Sequence, residues 1–212
     1  MENISFEDIE RQFRQAKGYD KSLDREHNYH KSYSYFVDYF KGLDEIEESH
    51  FVIAANFTYG WMPTILNFKP VTGSKEFEPV IKLLNKAKEP ARLTGDEVSL
   101  IAALVNNSVV GASKLLHFIN PEVYAIWDSH VSRFVTGKDN SNHVGKVKNF
   151  MDYLDKCKSF TKSPAMEEAQ EKFNIKLGYK GYKPSRLRVI ETMMFTLGKE
   201  RITLQDINSF KG

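Results

Sequence analysis

The chain has 212 residues, 41% hydrophobic and 27% charged, which supplies a core for one large domain or two small lobes and excludes a disordered chain. No run approaches a membrane span, the opening MENISFEDIERQF lacks the basic-then-apolar order of a signal peptide, and a single cysteine, Cys157, excludes an internal disulfide, a Cys-rich zinc site and an iron–sulfur cradle. A cytoplasmic protein without a membrane partner or a cofactor is expected. The net charge of +2 hides an asymmetry: residues 1–129 carry 14 Lys+Arg against 19 Asp+Glu, a net −5, and residues 130–212 carry 16 against 9, a net +7. Charge segregated in this way suits either an ordinary solvated surface or a basic face that meets a polyanion.

Helical signals recur along the whole chain and strand-like alternation is scarce, so an all-α fold is expected. Ser5 caps a predicted helix running to about Lys17, and a second, from about Asp24 to Phe40, ends at Gly42, where a left-handed C-cap would sit. A third covers about Glu47 to Thr58 and runs into the aromatic turn FTYGWMP. Ser74 precedes the amphipathic KEFEPVIKLLNKAK, which Pro90 closes. Thr94-Gly-Asp-Glu97 is a capping-box pattern before a helix from Gly95 to about Val105. Asn106, Asn107 and Ser108 then make a turn, and the next helix runs from Val109 to Ile119, stopped by Asn120-Pro121. After the loop PEVYAIW, Asp128 caps SHVSRFV. Further helices are predicted near 142–160, 164–177 and 185–197, the last ending at Gly198, with a short one from Thr203.

The segment NNSVVGASKLLHFINPEVYAIWDSHVSRFV, residues 106–135, reads as helix, turn, helix, short loop, and then an acid at the start of another helix. Asp128-Ser129-His130-Val131, approached by the apolar Tyr124-Ala125-Ile126-Trp127, resembles the helix-hairpin-helix DNA glycosylase superfamily and particularly its 8-oxoguanine glycosylase-like branch. The resemblance implies a two-lobed helical bundle across residues 1–212 with a cleft lined by 106–135. It also implies a monomer that excises a modified base, an oxidised purine by analogy, from duplex DNA. The chain departs from the pattern in its hairpin, where the family usually carries two glycines and this sequence has only Gly111. The lysine of the bifunctional members would fall at Val109 or Val110, whereas Lys114 stands 14 positions before Asp128.

A helix-opening Asp commonly caps backbone N–H groups, and that role is compatible with catalysis because capping orients an anion. Cleaving an N-glycosidic bond builds positive charge on C1′ and O4′ of the sugar, and a fixed carboxylate stabilises that charge. Asp128 is therefore the candidate catalytic acid. Lys114 shares a helix face with Val110 and is either a structural lysine or the amine that attacks C1′; the second role requires a lowered pKa, and otherwise water attacks. Base extrusion needs an aromatic pocket, for which Trp61 and Trp127 are the candidates, each with a packing role as its alternative.

Phosphate contacts are expected from the backbone at the start of the hairpin's second helix, Ser108, Val110, Gly111 and Ala112, from His130, and from the run KLGYKGYKPSRLR through Lys180, Lys183, Arg186 and Arg188. His117 and His130 have no partners at metal-ligand spacing. Two readings follow: a DNA N-glycosylase with or without lyase chemistry, and a non-catalytic nucleic-acid-binding protein that keeps the fold.

Overall fold

The computed structural model describes residues 4–24, 27–62, 64–67, 75–178 and 183–209, and every regular element among them is helical. The first five helices are α1 (Phe6–Gln15), α2 (Tyr19–Ser22), α3 (Asn28–Lys41), α4 (Glu48–Trp61) and α5 (Phe77–Ala87). They lead to the pair α6 (Gly95–Leu104) and α7 (Val109–Ile119), which meet at a bend of 105°. There follow α8 (Ser129–Thr136), α9 (Ser141–Val144), α10 (Val147–Phe160), α11 (Met166–Leu177), α12 (Arg186–Lys199) and α13 (Leu204–Ser209). No single helix among the described residues is long and apolar enough to cross a membrane.

Local chemistry explains most of the starts. Ser5 and Asp8 form a reciprocal capping box at α1, Thr94 and Glu97 form another at α6, and Ser108, Asp128 and Ser185 each accept a backbone N–H at the starts of α7, α8 and α12. Other boundaries differ from expectation. Gly42 has φ −77°, so the end of α3 does not use a left-handed cap; Gly137 and Gly178, at φ 72° and 58°, supply such caps to α8 and α11 instead. The predicted helix 142–160 breaks at Gly145 into α9 and α10. Trp61 is the last residue of α4 and not part of a turn. Ser74 and Lys180 lie outside the described residues.

Two helices are buried on nearly every side. α7 packs against α3, α4, α5, α6 and α10, whereas α12 packs against α1, α2, α8, α10 and α11. A helix enclosed in this way carries apolar residues around its whole circumference. On α12, Thr192 and Thr196 meet that condition by donating their hydroxyls to the carbonyls one turn earlier, both at 2.8 Å.

Gly198 lies inside α12 and does not end it. A Cβ built there would sit 2.0 Å from the His130 carbonyl oxygen and 2.8 Å from its carbon, so the backbones of α12 and α8 touch at this point. Arg133 spans the same contact, donating from Nη1 to the Gly198 carbonyl at 2.8 Å. We expect Gly198→Ala to destabilise the fold by ~1–3 kcal/mol through overpacking against an immovable carbonyl. Gly60→Ala, in α4 where a Cβ meets nothing within 4 Å, should be neutral or stabilising by ~0.5–1 kcal/mol. Urea unfolding of the two variants beside the wild type measures the contrast.

Candidate active site

The first requirement of the site is that Lys114 and Asp128 be brought together, and their chain neighbours do this. The Ser113 hydroxyl accepts the Trp127 backbone N–H at 3.1 Å and lies 3.1 Å from the Trp127 carbonyl and 2.8 Å from that of Val110. This buried staple ties the middle of α7 to the residue preceding Asp128. Asp128, in extended conformation, accepts the Val131 N–H at 2.9 Å as the cap of α8. Its carboxylate and the Lys114 ammonium are within electrostatic reach of each other.

The third and fourth members of the cluster come from α12. Glu191 and Arg188 form an ion pair one helical turn apart, with only 3% and 5% of their surfaces exposed. The Arg188 guanidinium also lies 4.5 Å from the centre of the Tyr33 ring on α3. Tyr33 donates its hydroxyl to His117 Nε2 at 2.7 Å, and His117 Nδ1 donates to the Tyr124 carbonyl at 2.7 Å. The carbonyl accepts only, so His117 is the neutral Nδ1–H tautomer.

The electrostatics follow from the burial. Desolvation pushes the Lys114 amine below its ordinary range, Arg188 adds to the effect, and the Asp128 and Glu191 carboxylates oppose it. Glu191 is pushed up to about 7, chiefly by burial and further by Asp128, against the pull of Arg188 and Lys114. Lys114 is half-buried, with its amine 5.5 Å from the Trp61 ring, and Trp61 in turn meets Tyr29 edge-on at 5.0 Å. The arrangement places a partly desolvated amine, two carboxylates and an aromatic wall together.

Other sequence-predicted residues fall elsewhere. Trp127 is fully buried, bonds the Val144 carbonyl through Nε1 at 2.9 Å and packs on Tyr153, so it is a core residue and cannot line a base pocket. Arg188 is internal and paired, which removes it from any phosphate surface. Gly111 and Ala112 are buried, with the Gly111 N–H donating to Ser108 Oγ at 3.0 Å and the Ala112 N–H to the Ser108 carbonyl at 2.9 Å. Those amides are therefore committed within the helix. Val110 is half-buried. His130 packs edge-on against Phe195 and accepts from Arg133 at Nδ1, 3.1 Å away, with its pKa lowered first by burial. Lys183 and Arg186 are exposed as expected; Lys183 pairs with Glu171 at 3.3 Å and Arg186 donates to the Thr161 carbonyl at 3.1 Å.

Sequence reasoning missed Glu191. The available signal was a lone carboxylate inside the apolar run of α12, VIETMMFTL, three residues after an arginine. No protein-family model, no curated protein and no solved structure matches the chain.

Burial also holds two histidines neutral, His117 at about 3 and His30 at about 4, in each case mainly by desolvation with Arg188 contributing. The unfolded chain, with histidines near 6.5, takes up protons before the folded one does. Stability from these residues is therefore complete above about pH 6.5 and lost as the pH falls toward their folded values, by at most ~1.4 kcal/mol per pH unit for each histidine. Urea midpoints measured down from neutral pH should show this loss, and His117→Gln should flatten it.

Proposed function

We propose that this protein cleaves the N-glycosidic bond of a modified base in DNA, an oxidised purine being the first substrate to try, with Lys114 as the attacking amine and Asp128 as the stabilising carboxylate. The supporting observation is that the Lys114 amine, pushed below its ordinary range, shares one half-buried cluster with Asp128. An amine nucleophile must be unprotonated to attack, and desolvation lowers the cost of that state. The lone pair of Lys114 Nζ forms a bond to C1′ as the glycosidic bond breaks, and the electron pair of that bond leaves with the base. Positive charge that develops on C1′ and O4′ faces the fixed Asp128 carboxylate. The attached nitrogen gives up one proton, which the departing base takes; the nitrogen lone pair then forms the C1′=N bond of a protonated Schiff base as the C1′–O4′ bond breaks, and O4′ takes a proton from water. Trp61 and Tyr29 supply an aromatic wall beside the amine for an extruded base.

Duplex contact in this reading falls to exposed basic residues such as Lys183 and Arg186, since Arg188 is internal. Borohydride should trap a covalent protein–DNA adduct on a lesion-bearing duplex, and Lys114→Gln should abolish the trapping. Asp128→Asn keeps a good helix cap, so a loss of base release of ~10²–10⁴-fold would report the missing charge and not a frayed α8. Base release that survives in Lys114→Gln but not in Asp128→Asn would assign the attack to water. Wild-type protein that binds duplex DNA but releases nothing from a panel of oxidised, alkylated and deaminated duplexes would transfer the protein to the non-catalytic binding class.

A further inference from the structure

The charge close to Asp128 depends on how α12 ends. Gly198 touches the His130 backbone, and Arg133 closes the seam by donating from Nη1 to the Gly198 carbonyl at 2.8 Å and to His130 Nδ1 at 3.1 Å. The last turn of α12 is thereby fixed against a residue two positions from Asp128. Two cations follow the contact in the chain, Lys199 directly after Gly198 and Arg201 two residues later, and both are exposed. Lys199 is within electrostatic reach of His130, and Arg201 of Asp139.

Among the described residues, neither cation makes an ion pair or a side-chain hydrogen bond, and the nearby acids are committed elsewhere. Glu200, between them, accepts the backbone N–H groups of Lys17 at 3.2 Å and Gly18 at 2.5 Å. Asp139 accepts from Arg133 Nε at 3.0 Å, and Asp206 accepts the Thr203 N–H at 2.8 Å and its hydroxyl at 2.7 Å. The other end of α12 differs: there Lys183 is paired with Glu171, and Arg186 donates to the Thr161 carbonyl. Arg201 also occupies an unfavourable place. The Ile202 N–H donates to the Leu197 carbonyl at 3.0 Å and the Arg201 N–H to that of Gly198 at 3.1 Å, the two bonds that close a helix around a left-handed residue. Glycine is the usual choice for that residue, and α8 and α11 end on Gly137 and Gly178 in this conformation, yet α12 ends on an arginine at φ 64°.

We infer that Lys199 and Arg201 bind the phosphate backbone of duplex DNA beside the start of α8 and so fix the strand relative to Asp128. The inference rests on the base-excision reading for the identity of the polyanion as DNA. Local geometry favours a glycine at 201. A guanidinium at that place gains instead a planar, bidentate grip on phosphate oxygens, and the neighbouring ammonium supplies a second positive charge. His130 adds a donor to the pair. A guanidinium can only donate, so the Nδ1 that faces Arg133 is an acceptor and Nε2 carries the proton. Nε2 has no protein acceptor among the described residues, and the ring is held by Arg133 on one side and packed edge-on against Phe195. The seam between α8 and α12 therefore offers prearranged donors to an anion, whereas the basic run before α12 is already paired within the protein.

Fluorescence anisotropy with an unmodified duplex measures the contact apart from catalysis. Lys199→Gln combined with Arg201→Gly should weaken binding about tenfold or more near ~0.1 M salt and reduce the slope of log affinity against log salt by about two. Lys156→Gln combined with Lys158→Gln, two exposed lysines of α10, removes the same charge elsewhere and should change affinity by less than about threefold. Equal losses in the two double variants would show that affinity follows net charge alone and would overturn the inference, as would wild-type protein that binds no duplex. Glycine suits the left-handed position, so Arg201→Gly alone should unfold at a urea concentration equal to or above that of the wild type. A lower midpoint with unchanged DNA affinity would make Arg201 a structural residue and overturn the inference too. Should the glycine variant fail to fold, Arg201→Asn tolerates the same conformation without the charge and repeats the test. Weakened binding in a protein that releases no base from any duplex supports the phosphate contact and removes base excision. Base release by the double variant at the wild-type dependence on DNA concentration does the reverse.

Discussion

A guanidinium and a carboxylate enclosed in the middle of the fold set the terms for everything around them. The pair formed by Arg188 and Glu191 gives up the hydration of two ions, a penalty of several kcal/mol for each, and that penalty is offset only if the surrounding groups are fixed in place. Tyr33 covers the guanidinium, its hydroxyl donates to His117, and His117 donates to the Tyr124 carbonyl. Tyr124 in turn accepts the Leu93 N–H at 2.9 Å through its own hydroxyl. One continuous path therefore runs from α12 through α3 and α7 to the start of α6 and the loop before α8. The helices around α7 and those around α12 are locked together by these polar contacts.

This is a costly way to join helices. Well-packed apolar residues of similar volume often stabilise a protein as much as a buried ion pair or more. The threonines of α12 show that the helix can bury polar atoms cheaply, by returning them to its own backbone. Arg188 and Glu191 do not take that route. Their charges act instead on the Lys114 amine, Arg188 to free it of its proton and Glu191 to retain it. Groups that break the local rule of an apolar interior are where function is most readily sought.

How far the sequence revealed this depended on whether each signal was local. Caps were readable because Ser5, Thr94, Ser108, Asp128 and Ser185 bond to amides within three residues of themselves. Gly198 was misread as a helix stop because its function is a backbone contact with His130, which is far away in the chain. Lys114 and Asp128 stood out through a motif and its spacing. Arg188 was grouped with the basic run before it, yet α12 begins at Arg186, and Arg188, two positions on, turns from the exposed face into the interior. Glu191 three residues later then resembles an ordinary surface ion pair. Only the packing of α12 on all sides distinguishes the two cases.

The glycine-poor hairpin has a physical account of a different kind. Asn106 and Asn107 both take left-handed conformations, at φ 57° and 50°, in the tight turn where glycines would be expected. Such conformations cost most side chains about 1–2 kcal/mol each, and asparagine is among the few that adopt them routinely. The Asn106 amide also gains what a glycine would lack: it donates to the Ile65 carbonyl and accepts the Asn67 N–H, both at 2.7 Å. The turn between α6 and α7 is thereby held from outside by the segment that follows α4. That segment begins just beyond Trp61, the ring over which the Lys114 amine sits. The departure from the glycine pattern thus couples the position of α7, and with it Lys114, to the same stretch of chain that walls the site.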